Sequence, residues 1–269
     1  MKIKEIKAKS CLNKCGIKGI DYVINPYVGC PHACRYCYAV FIKRFRKIKD
    51  DWGKFVYVKM NCSELLEKEL RKAKPGYIWM SSVTDCYNPI EGKYKITRKI
   101  LEKLIPYKKK FKLGILTKSV LVRRDFDLLK ELSAELGMTI NTLDDKKARI
   151  LEPCASSPKG RIETLRDAKK KGIKIYGFIS PVIPGINDMD LEEVFKELKF
   201  CDYVWIEVLN TRKPVMDRLM YYIKKDFPEG VKELEDYMKN KNKYYNKIKK
   251  QVKQLSSKYN LKVKGVVLH

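Results

Sequence analysis

The chain has 269 residues, of which 45% are hydrophobic and 11% aromatic, so it is long and apolar enough to bury one large core. No apolar run approaches the roughly 20 residues of a membrane span, and the N-terminus lacks a signal-peptide apolar region, which predicts a cytoplasmic protein without a membrane partner. The net charge of +27, from 59 Lys and Arg against 32 Asp and Glu, indicates attraction to polyanions and makes nucleic acid a candidate partner.

Short apolar runs alternate with amphipathic segments along the chain. The predicted strands span residues 21–28, 55–58, 77–82, 112–117, 138–142, 173–179, 203–208 and 262–268. The predicted helices span residues 63–74, 95–107, 126–136, 160–171 and 191–198. This alternation predicts an α/β fold of βαβ units with a mostly parallel sheet, which either closes into a full or partial barrel or opens into a doubly wound sheet.

The chain has no internal repeat and no Gly/Ser linker, which predicts one domain over residues 1–269. Its core is expected at about 20–210, followed by a basic, helical C-terminal extension at 211–269. The Lys- and Tyr-rich helix of that extension is interpreted as a solvated surface. A helix that follows a phosphate backbone is the alternative.

Three cysteines form the most informative motif. Cys30, Cys34 and Cys37 have the spacing C-x3-C-x2-C, with no fourth cysteine close by. Three thiolates can bind three irons of a [4Fe–4S] cluster and leave the fourth iron open, whereas electron-transfer clusters usually have four cysteines. Zinc is the alternative metal, but structural zinc sites take four ligands, usually in paired sets, and no second pair follows at that spacing. The motif therefore predicts a cluster that takes part in chemistry.

Polar side chains follow several predicted strands. Thr84 and Asp85 follow one strand, Lys118 follows the next, and Thr139 and Asn141 lie in the one after that. Active residues of parallel α/β folds gather at the carboxyl ends of strands. Helix capping is the alternative role for such residues, but several of them at one edge suit a small zwitterionic ligand better.

The cysteine motif resembles that of the radical SAM superfamily, which has an aromatic residue before the last cysteine, here Tyr36. The stretch 25–188 is similar to the branch of spore photoproduct lyase and its uncharacterised relatives. The matching segments are Asn25–His32, Thr84–Asp85 with Glu91, Leu116–Ser119, Leu151–Pro153 and Pro181–Asp188. The last eighty or so residues have no such counterpart.

The resemblance implies a partial (βα)6 barrel in which Cys30, Cys34 and Cys37 hold a [4Fe–4S] cluster and S-adenosylmethionine (SAM) chelates its open iron. One-electron reduction, by a protein such as ferredoxin or flavodoxin, would cleave SAM to methionine and a 5′-deoxyadenosyl radical that abstracts hydrogen from a substrate. That chemistry belongs to the cofactor, which the protein orients.

The same resemblance assigns the residues that bind the cofactor. Thr84 and Lys118 match residues that hold the methionine part of SAM, Thr139 matches a residue near the ribose, and Tyr36 is expected beside the adenine. Asn141 is expected in the same cofactor-binding set.

One position departs from spore photoproduct lyase. Ser82 stands where that enzyme has the cysteine that returns a hydrogen atom to the repaired thymine. A hydroxyl O–H bond is far stronger than a thiol S–H bond, so serine cannot replace this donor. Cys86 is therefore predicted as the hydrogen donor, with Cys154 as a second candidate and packing as the alternative role for both.

The nine cysteines have no disulfide-framework spacing, which favours reduced thiols in a reducing compartment. Cys11 and Cys15 could add a pair of metal ligands, whereas Cys62 and Cys201 have the character of buried apolar residues. The alternative function is a non-enzymatic iron–sulfur or zinc protein that binds nucleic acid, which would need no cofactor-binding residues at the strand ends. SAM-dependent methyl transfer would usually need a Gly-rich loop, and the sequence has none.

Overall fold

Two β-sheets organise the chain, and the computed structural model describes residues 1–268. The strands are β1 (Lys2–Ile6), β2 (Leu12–Lys14), β3 (Tyr22–Ile24), β4 (Tyr27–Val28), β5 (Phe55–Lys59), β6 (Gly76–Met80), β7 (Phe111–Thr117), β8 (Glu135–Thr139), β9 (Lys174–Val182), β10 (Tyr203–Val208) and β11 (Val263–Val267). The helices are α1 (Ile42–Phe45), α2 (Cys62–Lys72), α3 (Glu91–Tyr94), α4 (Ile96–Leu104), α5 (Phe126–Glu131), α6 (Asp145–Leu151), α7 (Pro158–Lys170), α8 (Leu191–Leu198), α9 (Lys213–Asp226), α10 (Val231–Lys239) and α11 (Lys241–Tyr259).

The larger sheet has eight strands in the order β11-β10-β9-β8-β7-β6-β3-β2. All neighbours in it are parallel except β2, which pairs antiparallel with β3 at one edge. The outermost strands, β11 and β2, do not pair with each other within residues 1–268, so the sheet does not close into a barrel. The predicted α/β class and open, partial barrel are confirmed.

The register of the parallel strands aligns their carboxyl ends. Met80 of β6 pairs with Ile115 of β7, and Thr117 of β7 pairs with Met138 of β8. The residues that follow these strands therefore emerge along one edge of the sheet, as in other parallel α/β folds.

Apolar strand residues and the helices that cover them form the main core. Ile78, Ile115 and Leu136 on three adjacent strands are fully buried, as are Leu66 and Leu70, one turn apart on α2. Burying each such side chain stabilises the fold by about 1.5–3 kcal/mol. The alternation of short apolar runs with amphipathic helices in the sequence therefore reflects this layered packing.

The predicted strand at 21–28 is divided into β3 and β4, which belong to different sheets. Pro26 has no N–H group to donate to a ladder, so the strand is interrupted there. The Asn25 side-chain oxygen accepts hydrogen bonds from the backbone N–H groups of Ser82 and Val83, at 3.0 and 3.1 Å. This side chain joins the break in the strand to the segment that follows β6.

The predicted helix at 126–136 is too long. Helix α5 ends at Glu131, Ser133 takes the left-handed conformation with φ 49°, and β8 begins at Glu135. Glu135 pairs with Gly114 of β7, and its carboxylate accepts a hydrogen bond from the Tyr203 hydroxyl at 2.7 Å. Tertiary pairing therefore overrides the helical propensity of this segment.

The C-terminal extension consists of α9, α10 and α11, followed by β11. The final strand pairs with β10, so the extension adds a strand to the main sheet. Helix α11 buries Ile248, Val252 and Leu255 on one face. Within residues 1–268, none of the helices combines the length and the apolar character that a bilayer crossing requires.

The N-terminal segment is held by a disulfide between Cys11 and Cys62, both fully buried. The Glu69 carboxylate accepts hydrogen bonds from the backbone N–H groups of Cys11 and Leu12, which brings β2 against α2. The expectation of uniformly reduced cysteines is wrong for this pair. Cys11 is also not free to join Cys15 in a metal site.

Candidate active site

The cysteine motif lies on the loop between β4 and a 3₁₀ turn at Tyr38–Phe41. Cys30 and Cys34 are buried, Cys37 is partly exposed, and none of the three forms a disulfide. Backbone hydrogen bonds from Ala33 to the Cys30 carbonyl and from Cys37 to the Cys34 carbonyl, both 3.3 Å, close two successive turns. These turns bring three thiols that are separated in sequence onto one compact loop.

Gly29 allows the backbone conformation with which the cysteine loop begins. Its φ is +84°, in the left-handed region, and a Cβ at this position would lie 2.6 Å from both the ring and the carbonyl oxygen of Phe55. Any larger residue would therefore collide with β5 as well as being strained.

The three thiols suit a cluster better than a single ion. Burial raises the pKa of Cys30 well above its usual range, raises that of Cys34 to about 12 and also raises that of Cys37. Bound metal would supply the positive charge that buried thiolates need. Three thiolates on one loop match a cubane cluster, in which each binds a different iron, whereas structural zinc takes four ligands. Within residues 1–268, no three His, Cys, Asp or Glu side chains converge on a single ion position.

His32 ties the loop to the end of β6. Its Nδ1 atom lies 3.3 Å from a carboxylate oxygen of Asp85, and the same carboxylate accepts hydrogen bonds from the Thr117 hydroxyl at 2.7 Å and the Lys118 backbone N–H at 2.9 Å. Burial by itself would raise the pKa of Asp85, but His32 and these donors lower it to about 2. The charged carboxylate of Asp85 therefore joins the cysteine loop to the ends of β6 and β7.

A buried polar network surrounds Tyr36. The Tyr36 hydroxyl donates to Glu152, which also receives a hydrogen bond from the Arg161 guanidinium. Arg161 donates in addition to the carbonyl oxygen of Thr139 at 2.8 Å, and the Asn141 amide reaches the Tyr36 hydroxyl at 3.5 Å. These contacts fix the orientation of the tyrosine next to Cys37.

Lys118 brings a positive charge into this buried region. Its ammonium lies 5.7 Å from the centre of the Tyr36 ring. Burial lowers the pKa of Lys118, but the charges of Cys34 and Glu152 outweigh this and leave the pKa raised. Within residues 1–268, no carboxylate lies within ion-pair distance of the ammonium, which instead faces the Tyr36 ring.

Thr84, Thr139 and Asn141 also lie at the carboxyl edge. The Thr84 hydroxyl donates to the Gly29 carbonyl at 2.7 Å, and so contacts the residue before Cys30. Thr139 and Asn141 are buried, and the Asn187 amide donates to the Asn141 carbonyl at 2.9 Å. The structure thus brings the predicted cofactor-binding residues together around the cysteine loop.

The C-terminal extension also holds the cysteine loop. From α9, Arg218 donates hydrogen bonds of 3.0 Å to the carbonyl oxygens of Cys34 and Ala33. The Arg35 guanidinium stacks on the Tyr222 ring with 3.9 Å to its centre. Helix α9 therefore anchors the loop and places a guanidinium beside Cys34.

Cys86 lies in the apolar core and is fully buried. Burial raises its pKa well above the usual range, and the neighbouring charges are those of Asp85 and Glu91. Its assignment as a hydrogen donor stays a prediction. Cys154 is exposed, although its backbone N–H donates to the His32 carbonyl at 3.3 Å.

Ser82 lies beside Tyr38, whose hydroxyl donates to the Ser82 carbonyl. The residue as a whole is 41% exposed, but burial of its hydroxyl raises the pKa of Tyr38, and the charges of Cys37, Glu207 and Cys15 add to the effect. Cys15 is a free and partly exposed thiol.

Sequence reasoning missed Glu152, Arg161, His32 and Arg218 as site residues. Glu152, which follows α6, and His32 lie in the matching segments Leu151–Pro153 and Asn25–His32, and this was the signal that could have found them. Arg161 and Arg218 lie on amphipathic helices, where a basic residue normally marks the solvated face, so the sequence contained no signal for either.

A parallel sheet that stays open, with three free thiols beside its carboxyl edge, is the architecture of partial-barrel proteins that bind a cluster through three cysteines. The family model of the radical SAM superfamily matches residues 24–198, and the chain belongs to this superfamily.

Its relatives include an uncharacterised protein of Methanocaldococcus jannaschii, 37% identical over all of this chain and 98% of that protein. Among solved structures, spore photoproduct lyase complexed with dinucleoside spore photoproduct has a TM-score of 0.73 at 16% identity, covering 98% of this chain and 81% of the other. SuiB of Streptococcus suis, bound to S-adenosylmethionine, has a TM-score of 0.57 at 13% identity, covering 92% and 50%. At these identities the two structures establish a shared fold.

Proposed function

We propose that the chain is an enzyme that binds a [4Fe–4S] cluster through Cys30, Cys34 and Cys37 and holds SAM against it. When bound and reduced, the cluster supplies the electron that cleaves SAM to methionine and a 5′-deoxyadenosyl radical, which abstracts hydrogen from a substrate. The observation that carries the proposal is that the three free thiols of one loop lie beside Tyr36 and the half-buried Lys118, whose ammonium is 5.7 Å from the centre of the Tyr36 ring.

The chain's own residues would orient SAM and exclude water. Lys118 would bind its carboxylate through a charge-assisted hydrogen bond. Tyr36, held by Glu152, would face the adenine, while Thr139 and Asn141 would contact the ribose side. Thr84 would bind the methionine part while it steadies the Gly29 carbonyl.

For the substrate, we propose a nucleic acid or a nucleotide-derived group. The net charge of +27 favours approach of a polyanion. The dinucleoside bound by the structurally similar spore photoproduct lyase supports the same class of substrate.

The test is anaerobic reconstitution with iron and sulfide, followed by reduction with dithionite in the presence of SAM. We expect about four irons per chain and slow formation of 5′-deoxyadenosine without substrate. Cys34→Ala should lose both, whereas Cys201→Ala, a matched change at a buried free thiol outside the loop, should retain both. Normal iron content and 5′-deoxyadenosine formation in Cys34→Ala would contradict the proposal.

A further inference from the structure

A row of exposed aromatic side chains begins directly after Cys37. Tyr38 is 41% exposed, Phe41 36% and Phe45 79%. The rings contact each other in sequence, with 6.4 Å between the centres of Tyr38 and Phe41 and 5.8 Å between those of Phe41 and Phe45. Contiguous apolar surface of this kind marks an interaction site more often than scattered exposed residues do.

The same segment is strongly basic. Between positions 38 and 49 the chain has no Asp or Glu and five basic residues, namely Lys43, Arg44, Arg46, Lys47 and Lys49. Within residues 1–268, none of these five forms an ion pair with a carboxylate, and the next acidic residue, Asp50, is paired with Lys2 at 3.2 Å. The aromatic row and these five residues together form what we call the 38–49 surface, which is suited to an acidic partner.

Buried residues hold the 38–49 surface in place. Ala39 and Ile48 are buried in a small core with Trp52, Phe55 and Cys30. The segment that presents the exposed rings is therefore anchored near both of its ends, at Ala39 and Ile48, so a partner would meet a preformed surface.

The 38–49 surface begins directly after Cys37 and lies apart from the buried cofactor-binding region. Cys30 and Cys34 are buried, so Cys37 is the cysteine of the motif through which a partner at the protein surface comes nearest to the cluster. A substrate must instead reach the SAM that Lys118 is placed to hold in the interior.

We propose, on the basis of the proposed function, that the 38–49 surface docks an acidic one-electron carrier protein of the ferredoxin type. One electron leaves the reduced ferredoxin and enters the oxidised cluster near Cys37, so the carrier is oxidised by one electron and the cluster is reduced by one. No bond forms or breaks and no proton is transferred. The basic residues guide the approach, and the aromatic row supplies the apolar contact.

The experiment measures the rate at which a reduced acidic ferredoxin reduces the reconstituted cluster under anaerobic conditions, with dithionite reduction measured in parallel. We expect Arg44→Glu with Phe45→Ser to slow reduction by ferredoxin at least about tenfold, while the dithionite rate is unchanged. The ferredoxin rate of the wild type should also fall steeply as salt is added.

The matched control is Lys250→Glu with Met189→Ser, which makes the same charge change and also removes an exposed apolar side chain, on other elements of the fold. This control should keep the wild-type ferredoxin rate. A normal ferredoxin rate in the Arg44→Glu, Phe45→Ser protein, with normal dithionite reduction and 5′-deoxyadenosine formation, would overturn the docking surface and leave the proposed function intact.

Two other results would also overturn the docking proposal. If the double variant keeps the ferredoxin rate but loses affinity for single-stranded DNA, the surface binds nucleic acid instead. If dithionite cannot reduce the reconstituted wild type at all, both the proposed function and the docking site are wrong, because there is then no redox centre to serve.

Discussion

The Nδ1 atom of His32 lies 3.3 Å from a carboxylate oxygen of Asp85, so the cysteine loop is joined to the residue that follows the end of β6. Because Asp85 also receives hydrogen bonds from Thr117 and Lys118, one buried carboxylate fixes three separate segments. Removing the charge of the Asp85 carboxylate would weaken all of these contacts at once.

We therefore expect Asp85→Asn to destabilise the protein by about 1–3 kcal/mol, because an amide cannot satisfy all the donors that converge on the carboxylate. Iron and sulfide retained after reconstitution should fall as the loop loosens. The measurements are urea unfolding and metal analysis, with Asp145→Asn on an exposed site of α6 as the control. If the Asp85→Asn protein kept the stability and iron content of the wild type, the contacts of the Asp85 carboxylate would not be needed to hold the loop.

Lys118→Met should weaken SAM binding to the reconstituted, oxidised protein roughly tenfold to a hundredfold, through loss of one charge-assisted hydrogen bond worth about 1.5–3 kcal/mol. Methionine keeps the length of the side chain and removes its charge. Titration calorimetry with SAM measures the affinity, and Lys112→Met on β7, the strand that Lys118 follows, is the control because Lys112 is exposed. Equal affinity in the two variants would remove Lys118 from the cofactor site.

Arg218 places a positive charge beside the loop that is proposed to hold the cluster, and the cluster would gain an electron on reduction. Replacement by Gln should shift the midpoint potential of the cluster to a more negative value, since hydrogen bonds and local charge set such potentials. Arg218→Lys should recover part of the shift by restoring the charge without the paired hydrogen bonds to Ala33 and Cys34. An EPR-monitored redox titration provides the readout.

Arg212→Gln, at an exposed position just before α9, serves as the control for the Arg218 variants. If Arg218→Gln keeps the potential of the wild type while losing iron, then Arg218 only supports the loop and does not tune the cluster.

The chain is not expected to repair the thymine dimer efficiently by the route of spore photoproduct lyase. Ser82 cannot return a hydrogen atom to a substrate radical, and Cys86 is fully buried in the core. Reduced enzyme with SAM and the dinucleoside spore photoproduct should therefore give few intact thymines over many turnovers, as chromatography would measure.

Multiple-turnover repair by the wild type would contradict this expectation. If it occurred, single replacements of Cys86, Cys15 and Cys154 by Ala would identify the thiol that supplies the hydrogen.

Lys59 gives a pH-dependent stability that can be measured independently of any cofactor. Burial lowers its pKa from an ordinary value of 10.5 to about 8, and nearby Arg46 adds to the effect. Below pH 8 both states are protonated, and burying the charged form costs about 3 kcal/mol. Between pH 8 and 10.5 the unfolded state binds more protons, so stability contributed by this site rises with pH.

Lys59→Met should therefore stabilise the protein at pH 7, and its advantage over the wild type should shrink as the pH rises from 8 to 10.5. Urea unfolding at pH 7 and near pH 10 measures the difference, with Lys54→Met at an exposed site as the control. If Lys59→Met raised the free energy of unfolding by the same amount at both pH values, Lys59 would not be buried as a cation.

The sequence by itself determined the class of fold and the three thiols that share one loop. The alternation of apolar runs and amphipathic helices is a local property of the chain, and it predicted the parallel sheet. The spacing of Cys30, Cys34 and Cys37 is also local, because turns of three and four residues suffice to bring the thiols onto one loop. Residues that follow consecutive strands were predictable for the same reason, since parallel strands end at one edge.

The tertiary structure alone decided which distant residues serve that loop. Arg218 contacts Cys34 across 184 positions of sequence, and Glu152 receives the Tyr36 hydroxyl across 116. Likewise, Cys11 pairs with Cys62 because β2 lies against α2. Such contacts depend on how whole helices and strands pack, and neither periodicity nor spacing within one segment contains that information.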